Sequence, residues 1–185
     1  MIKKITILGL LVLVLNACEK KEISLYPNFE ESVTFDIKTH GFEVYDKIYA
    51  SDISNSVNDA VEDGETIEQV VLEGLWFEVE KNNANTAESI TIELKIRKSG
   101  SSEYFYILDD YTFEIKDGKV VFLSSLKEEG VNELKGQINK IAKGQGFEDI
   151  ELKVEGEVAP EGSVVDVTVK MFVNATVVYK TEVGM

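Results

Sequence analysis

Few side chains in this protein are equipped for chemistry, and their placement narrows the field further. The one histidine, His40, is the only imidazole available as a base, and Lys38-Thr39-His40-Gly41 reads as an exposed turn between two strands. Serines gather in loops (Ser99, Ser101, Ser102; Ser124, Ser125), and no Gly-x-Ser-x-Gly elbow holds one beside a base. The one cysteine, Cys18, has no partner for an intramolecular disulfide and no cluster to hold zinc or an iron–sulfur group. Carboxylates are abundant and often adjacent: Glu30-Glu31, Asp109-Asp110, Glu128-Glu129, Glu148-Asp149. Glycoside hydrolysis needs two acids facing one another across a cleft, which adjacency in sequence does not supply. Asp52-Ile53-Ser54-Asn55-Ser56-Val57-Asn58-Asp59 places oxygens at alternate positions like a calcium loop. Val57 stands where that loop needs glycine, however, and Asp63 where it needs a bidentate Glu. Ser54 reads better as a helix N-cap. The sequence calls for no cofactor; a surface calcium site around Asp109 and Asp110 stays open.

Aromatic placement is more informative. Alternation puts Trp76 on the face of Glu78 and Glu80, away from the core residues Leu75, Phe77 and Val79. Tyr104 and Tyr106 share one face of their strand, and Phe172 stands opposite the face of Met171 and Val173. Trp76, Tyr104 and Tyr106 are the candidate ligand-binding residues, since exposed aromatics beside carboxylates stack on sugar rings or anchor a protein partner. The simpler reading is that a helix, loop or tether covers them.

The elements that hold these residues belong to one medium domain, as 185 residues with 44% apolar content allow. With 34 Asp and Glu against 19 Lys and Arg, the net charge is −15, which repels phosphate backbones and argues against nucleic-acid partners. The dominant period is two: Val33/Phe35/Ile37, Ile90/Ile92/Leu94/Ile96, Ile150/Leu152/Val154 and Val165/Val167/Val169/Met171 alternate with polar residues. This predicts a mainly β fold, an antiparallel sandwich of seven to nine strands, immunoglobulin-like or jelly-roll-like. Asp117-Gly118 reads as a two-residue hairpin turn. Helical spacing appears at Ile53, Val57, Ala60 and Val61, stopped by Asp63-Gly64, and again from Leu126 to Ala142. In the second helix Ser125-x-x-Glu128 reads as a capping box, Gly136 offers close packing on a sheet, and Gly144 marks the stop.

The N-terminus states an address. Met1-Ile2-Lys3-Lys4 is a basic head, and residues 5–15 are an apolar run too short for a comfortable bilayer span of about 20 residues. Leu15-Asn16-Ala17-Cys18 follows, and resembles the lipobox of bacterial lipoproteins, with Asn16 in place of the usual Ala or Ser. The resemblance implies cleavage before Cys18, acylation of its sulfur (palmitate among the chains) and, with Glu19 rather than Asp next, an outer-membrane destination. The expected organisation is a signal peptide over 1–17, lipidated Cys and tether over 18–32, and one sandwich over 33–185. Losing Lys3 and Lys4 leaves a net charge of −17. The expected function is a non-enzymatic envelope module anchored through Cys18 that binds a glycan or a protein. A small lipoprotein glycoside hydrolase or carbohydrate-processing accessory is the alternative. A structural subunit pairing through a long C-terminal strand, Val164–Val183, is the third reading.

Overall fold

The computed structural model describes residues 21–61, 65–116, 119–122 and 126–183. The leader, Cys18, Asp63-Gly64, Asp117-Gly118 and Ser125 lie outside the described residues. Nine strands form in chain order: β1 (Lys21–Leu25), β2 (Asn28–Ile37), β3 (Gly41–Ile48), β4 (Thr66–Lys81), β5 (Ser89–Lys98), β6 (Phe105–Glu114), β7 (Lys119–Phe122), β8 (Ile150–Ala159) and β9 (Val167–Val183). Helix α1 (Ala50–Ala60) lies between β3 and β4, and α2 (Glu128–Ala142) between β7 and β8.

In sheet A, β1 and β2 flank one side of β9, followed by β4 and β7; sheet B runs β3-β8-β5-β6. All pairings are antiparallel. From β2 onward, only the β5–β6 connection stays within a sheet, while every other one crosses between the two. Two sheets ordered β2-β9-β4-β7 and β3-β8-β5-β6 make a jelly roll. The predicted β-sandwich is therefore present, in its jelly-roll form.

The alternation works as read. Phe35, Ile37, Phe77, Ile90, Ile92, Leu94 and Ile96 are among the most deeply buried side chains, with β8 adding Ile150, Leu152 and Val154 and β9 adding Val167, Val169 and Met171. Helix α2 touches β4 of one sheet and β5 and β6 of the other, so it spans the gap between them and buries Leu134, Ile138 and Ile141 there. Helix α1 packs on α2 and β2 through Ala50, Ile53 and Val57. Asn139 of α2 treats β4 as a strand partner would: its Oδ1 accepts from the Val70 N–H (2.7 Å) and its Nδ2 donates to the Val70 carbonyl (2.9 Å). That pairing satisfies backbone which would otherwise be an open edge. Among the described residues no helix is long and apolar enough to cross a membrane.

Five local expectations change. The strands flanking Asp117-Gly118 do not form a hairpin: β6 pairs with β5 in sheet B, and β7 pairs with β4 in sheet A. Most of the stretch expected as a tether is strand, since β1 and the start of β2 run beside β9 from Lys21↔Val183 onward, interrupted at Tyr26-Pro27. Ser54 sits inside α1, which begins at Ala50 with Tyr49 in the cap position, because Asp149 Oδ1 accepts from the Ala50 N–H (3.1 Å) and fixes an earlier start. Close packing of α2 falls to Gly130, not Gly136, because an added Cβ at Gly136 meets nothing within 4 Å. Finally, β9 is bonded on both sides, by β1 and β2 and by β4, so it has no free edge for strand donation.

Candidate binding face

Inward burial of Ile90–Ile96, Ile150–Val154, Phe42 and Ile48 sends the intervening residues of sheet B to its outer surface. Register then arranges them in rows across the strands. One row reads Tyr45–Lys153–Lys95–Tyr106. The next is Lys47–Glu151–Arg97, with the Tyr104 ring 4.5 Å from the Arg97 guanidinium. On the other side lies an acidic row, Glu43–Glu155–Glu93, that ends at Asp109 and Asp110. β6 reaches this face in the right sense through an irregularity opposite Glu93, where Asp110 takes φ 49° and the consecutive residues Ile107 and Leu108 are both buried.

Lys95 and Lys153 stand directly opposite one another, a like-charge pairing that destabilises a sheet unless it is compensated. Glu155 compensates both: its carboxylate bonds Lys153 at 2.5 Å and also bonds Lys95. Glu93 adds a bond to Lys95 (2.7 Å) and Glu43 one to Lys153 (3.1 Å). The bonds from Lys153 and then Lys95 hold the Glu155 carboxyl far below its ordinary value of 4.5, at about 2. Burial opposes the charged form of Lys95, but Glu155, Glu93 and the Tyr106 hydroxyl outweigh it and raise its pKa. Glu155 does the same for Lys153. Arg97 Nε donates to Glu151 (2.7 Å), whose other oxygen accepts from Ser99 Oγ (2.9 Å), so this carboxyl also lies below its usual range.

Tyrosines bound the charged rows. The Lys95 ammonium stands 4.6 Å from the centroid of Tyr106, leaving the opposite ring face turned away from it. Lys153 lies 5.8 Å from Tyr45 and Lys47 5.9 Å from Tyr49. The Tyr45 hydroxyl donates to Glu43, which raises the phenol's pKa and ties the ring to the acidic row. Tyr45, Lys47, Tyr49, Glu151 and Leu152 line a shallow open groove of about 320 Å³ along the β3 side.

Folded-state depression of the Glu155 pKa makes a specific prediction. A depressed carboxyl contributes stability that is complete above its unfolded value near 4.5 and disappears as pH falls toward 2. Glu155→Gln is expected to lower stability at pH 7 by on the order of 1 kcal/mol, a figure discounted for the solvent that still reaches this face. Its deficit against the unsubstituted protein closes as pH drops from 4.5 to 2. Urea midpoints at pH 7 and pH 2.5 check this, and equal midpoints at pH 7 would refute it.

Of the residues singled out in the sequence, Tyr104 and Tyr106 come together on this face and Trp76 does not. Trp76 lies on the outer face of sheet A, half-buried and stacked on its cross-strand partner Phe172, with centroids 5.3 Å apart and an interplanar angle of 7°. Tyr45 and Tyr49 were missed; the signal was their shared parity with Lys47, along β3 and one residue past its end. His40 does occupy the β2–β3 turn, with its Nδ1 buried and without a hydrogen-bond partner. The Asp52–Asp59 oxygens ride on α1 and so do not form a chelating loop. Near Asp109 and Asp110, carboxylate oxygens of Glu93, Asp109 and Asp110 lie within 4.8 Å of one another. Two of these acids already face ammonium groups, Glu93 that of Lys95 and Asp109 that of Lys127 (2.9 Å). Among the other adjacent acids, Glu31 is engaged by Ser56 (2.6 Å), Glu148 by Lys98 (2.8 Å) and Asp149 by Lys47 (3.2 Å).

No family model and no curated protein matches the chain. Among solved structures it is similar to a chain of Desmodium yellow mottle tymovirus (TM-score 0.38, 9% identity, 88% of this chain and 85% of that one). A chain of the empty head of Turnip yellow mosaic virus (0.40, 10%, 85% and 81%) and the decameric BFDV capsid protein (0.33, 10%, 86% and 99%) are similar to a comparable degree. The likeness is remote in each case.

Proposed function

We propose that this chain is a lipid-anchored bacterial envelope protein, held by acylated Cys18 at the outer membrane, whose outward face of sheet B is a non-enzymatic binding surface. The leader and Leu15-Asn16-Ala17-Cys18 support the anchor. The observation that carries the binding role is the concentration of exposed aromatics. Among the described residues, Tyr45 (57% exposed), Tyr49 (48%) and Tyr106 (39%) are three of the six exposed large apolar side chains, and all lie on this one face. Burying such rings in a complex is worth far more than burying the surrounding ion pairs. With β1 beginning three residues after Cys18, the sandwich stands within about 10 Å of its anchor.

Two measurements test the reading. Radiolabelled palmitate is expected to enter the wild-type chain and not Cys18→Ser; equal labelling removes the anchor. The purified mature chain, residues 18–185, contains all of the described fold. It is expected to bind isolated envelope fractions about tenfold more tightly than Tyr45→Ala/Tyr106→Ala, by roughly 0.5–1.5 kcal/mol for each stacked ring. Trp76→Ala, altered on the other sheet, is expected to bind like wild type. Unchanged binding by the double tyrosine variant would remove the face from the proposal.

A further inference from the structure

Resting on that reading of the face, we infer that its ligand is an uncharged polysaccharide, lying across the strands from Tyr45 to Tyr106. The row between the two tyrosines spans three inter-strand steps, about 14 Å, which suits a short run of sugar rings rather than one small molecule. Its floor is ionic, and each of its four cations is held by one or more carboxylates. Lys153, Lys95, Arg97 and Lys47 bond Glu155, Glu93, Glu43, Glu151 and Asp149.

This pairing selects among polymers. A polyanion meets a protein of net charge −17 and has to draw the lysines away from carboxylates that already hold them. A polycation has to strip the same carboxylates. A hydroxyl both donates and accepts, so it serves ammonium and carboxylate at once without adding charge. The C–H faces of sugar rings lie on tyrosine, whose own hydroxyl stays wet. Because Glu155 holds both lysines and Glu43 holds Tyr45, the surface is ordered before binding and loses little side-chain freedom. A peptide strand adds along one sheet edge, whereas the row from Tyr45 to Tyr106 crosses all four strands of sheet B. At its β6 end α2 covers the edge: the Lys127 N–H donates to the Ile107 carbonyl at 2.9 Å, and Gly130 presses on the Tyr106 carbonyl.

The test is a polysaccharide array probed with the mature chain, residues 18–185. It carries neutral glucans, mannans and xylans beside sulfated and uronate polymers, and is read at 0.15 M and 0.5 M NaCl. Expected is binding to at least one neutral polymer, unchanged by salt. That binding should fall about threefold in Tyr45→Ala and in Tyr106→Ala, about tenfold in the double variant, and persist in Tyr45→Phe, with all variants folded by circular dichroism. Binding confined to charged polymers, or lost in 0.5 M salt, overturns the inference. The array is paired with envelope fractions oxidised by periodate to destroy sugar diols. Tyrosine-dependent binding that survives oxidation overturns the polysaccharide and leaves the face standing. Absence of binding to both array and envelope removes both.

Discussion

Gly156→Ala is expected to cost about 3 kcal/mol or more, lowering the thermal midpoint by roughly 6–12 °C. A Cβ at this position would lie 2.0 Å from the Thr91 carbonyl oxygen, 3.0 Å from its carbon and 3.1 Å from Ile92 Cα. All three atoms are backbone of β5, so no side chain can swing aside to relieve the overlap. The strands would have to part by more than 1 Å to restore an ordinary contact, against an inter-strand spacing of about 4.8 Å. β8 is bonded to β3 on one side and β5 on the other, so the parting strains pairings from Gly41↔Glu157 to Lys98↔Ile150. Thermal or urea unfolding of the variant checks this. Stability equal to wild type would mean the two strands do not approach so closely.

Gly130→Ala gives the second large effect, and its sign is the informative part. In an unencumbered helix, replacing glycine by alanine stabilises by up to about 1 kcal/mol. Gly136→Ala, with nothing within 4 Å of the added Cβ, is expected to show that gain. At Gly130 the same methyl group would sit 2.2 Å from the Tyr106 carbonyl oxygen and 2.8 Å from Ile107 N. Either α2 lifts from the gap between the sheets or β6 shifts and carries Tyr106 with it. A loss of about 2 kcal/mol is expected, with weaker binding at the tyrosine face. Denaturation of the two glycine variants side by side is the measurement: opposite signs support the packing, and a gain at both positions refutes it.

The sequence carried the fold further than the site. Alternation alone named the inward residues of β5, β8 and β9, because a half-buried strand writes its two faces into every second residue. Helix α2 was equally legible from Val131, Leu134, Ile138 and Ile141. Sheet membership was not, as Asp117-Gly118 shows: turn chemistry reports a reversal of the chain but not whether it stays in one sheet. Residues 21–32 escaped because Pro27 and mixed charges interrupt the pattern, and their pairing depends on β9, some 150 residues away. Tyr104 and Tyr106 could be placed on one face by parity. That Lys95 faces Tyr106 on one side and Lys153 on the other is a matter of register, which no single strand contains. The same holds for Trp76, whose partner Phe172 is set by the β4–β9 alignment. On β3, Asp46 replaces an apolar residue in the inward series Phe42, Val44, Ile48, and the blurred alternation hid Tyr45 and Tyr49.

Central placement of β9 has a kinetic consequence. β2 and β4 meet only through it, so no part of sheet A beyond the short β4–β7 pairing can assemble until residues 167–183 arrive. Within sheet B, β5 and β6 alone are close along the chain, and that hairpin is the one piece able to form locally. The remaining pairings must close long loops before any contact compensates for the lost entropy, which places folding in the millisecond-to-second range of β-rich topologies. A chain built this way stays open through most of its synthesis and closes late, around β9.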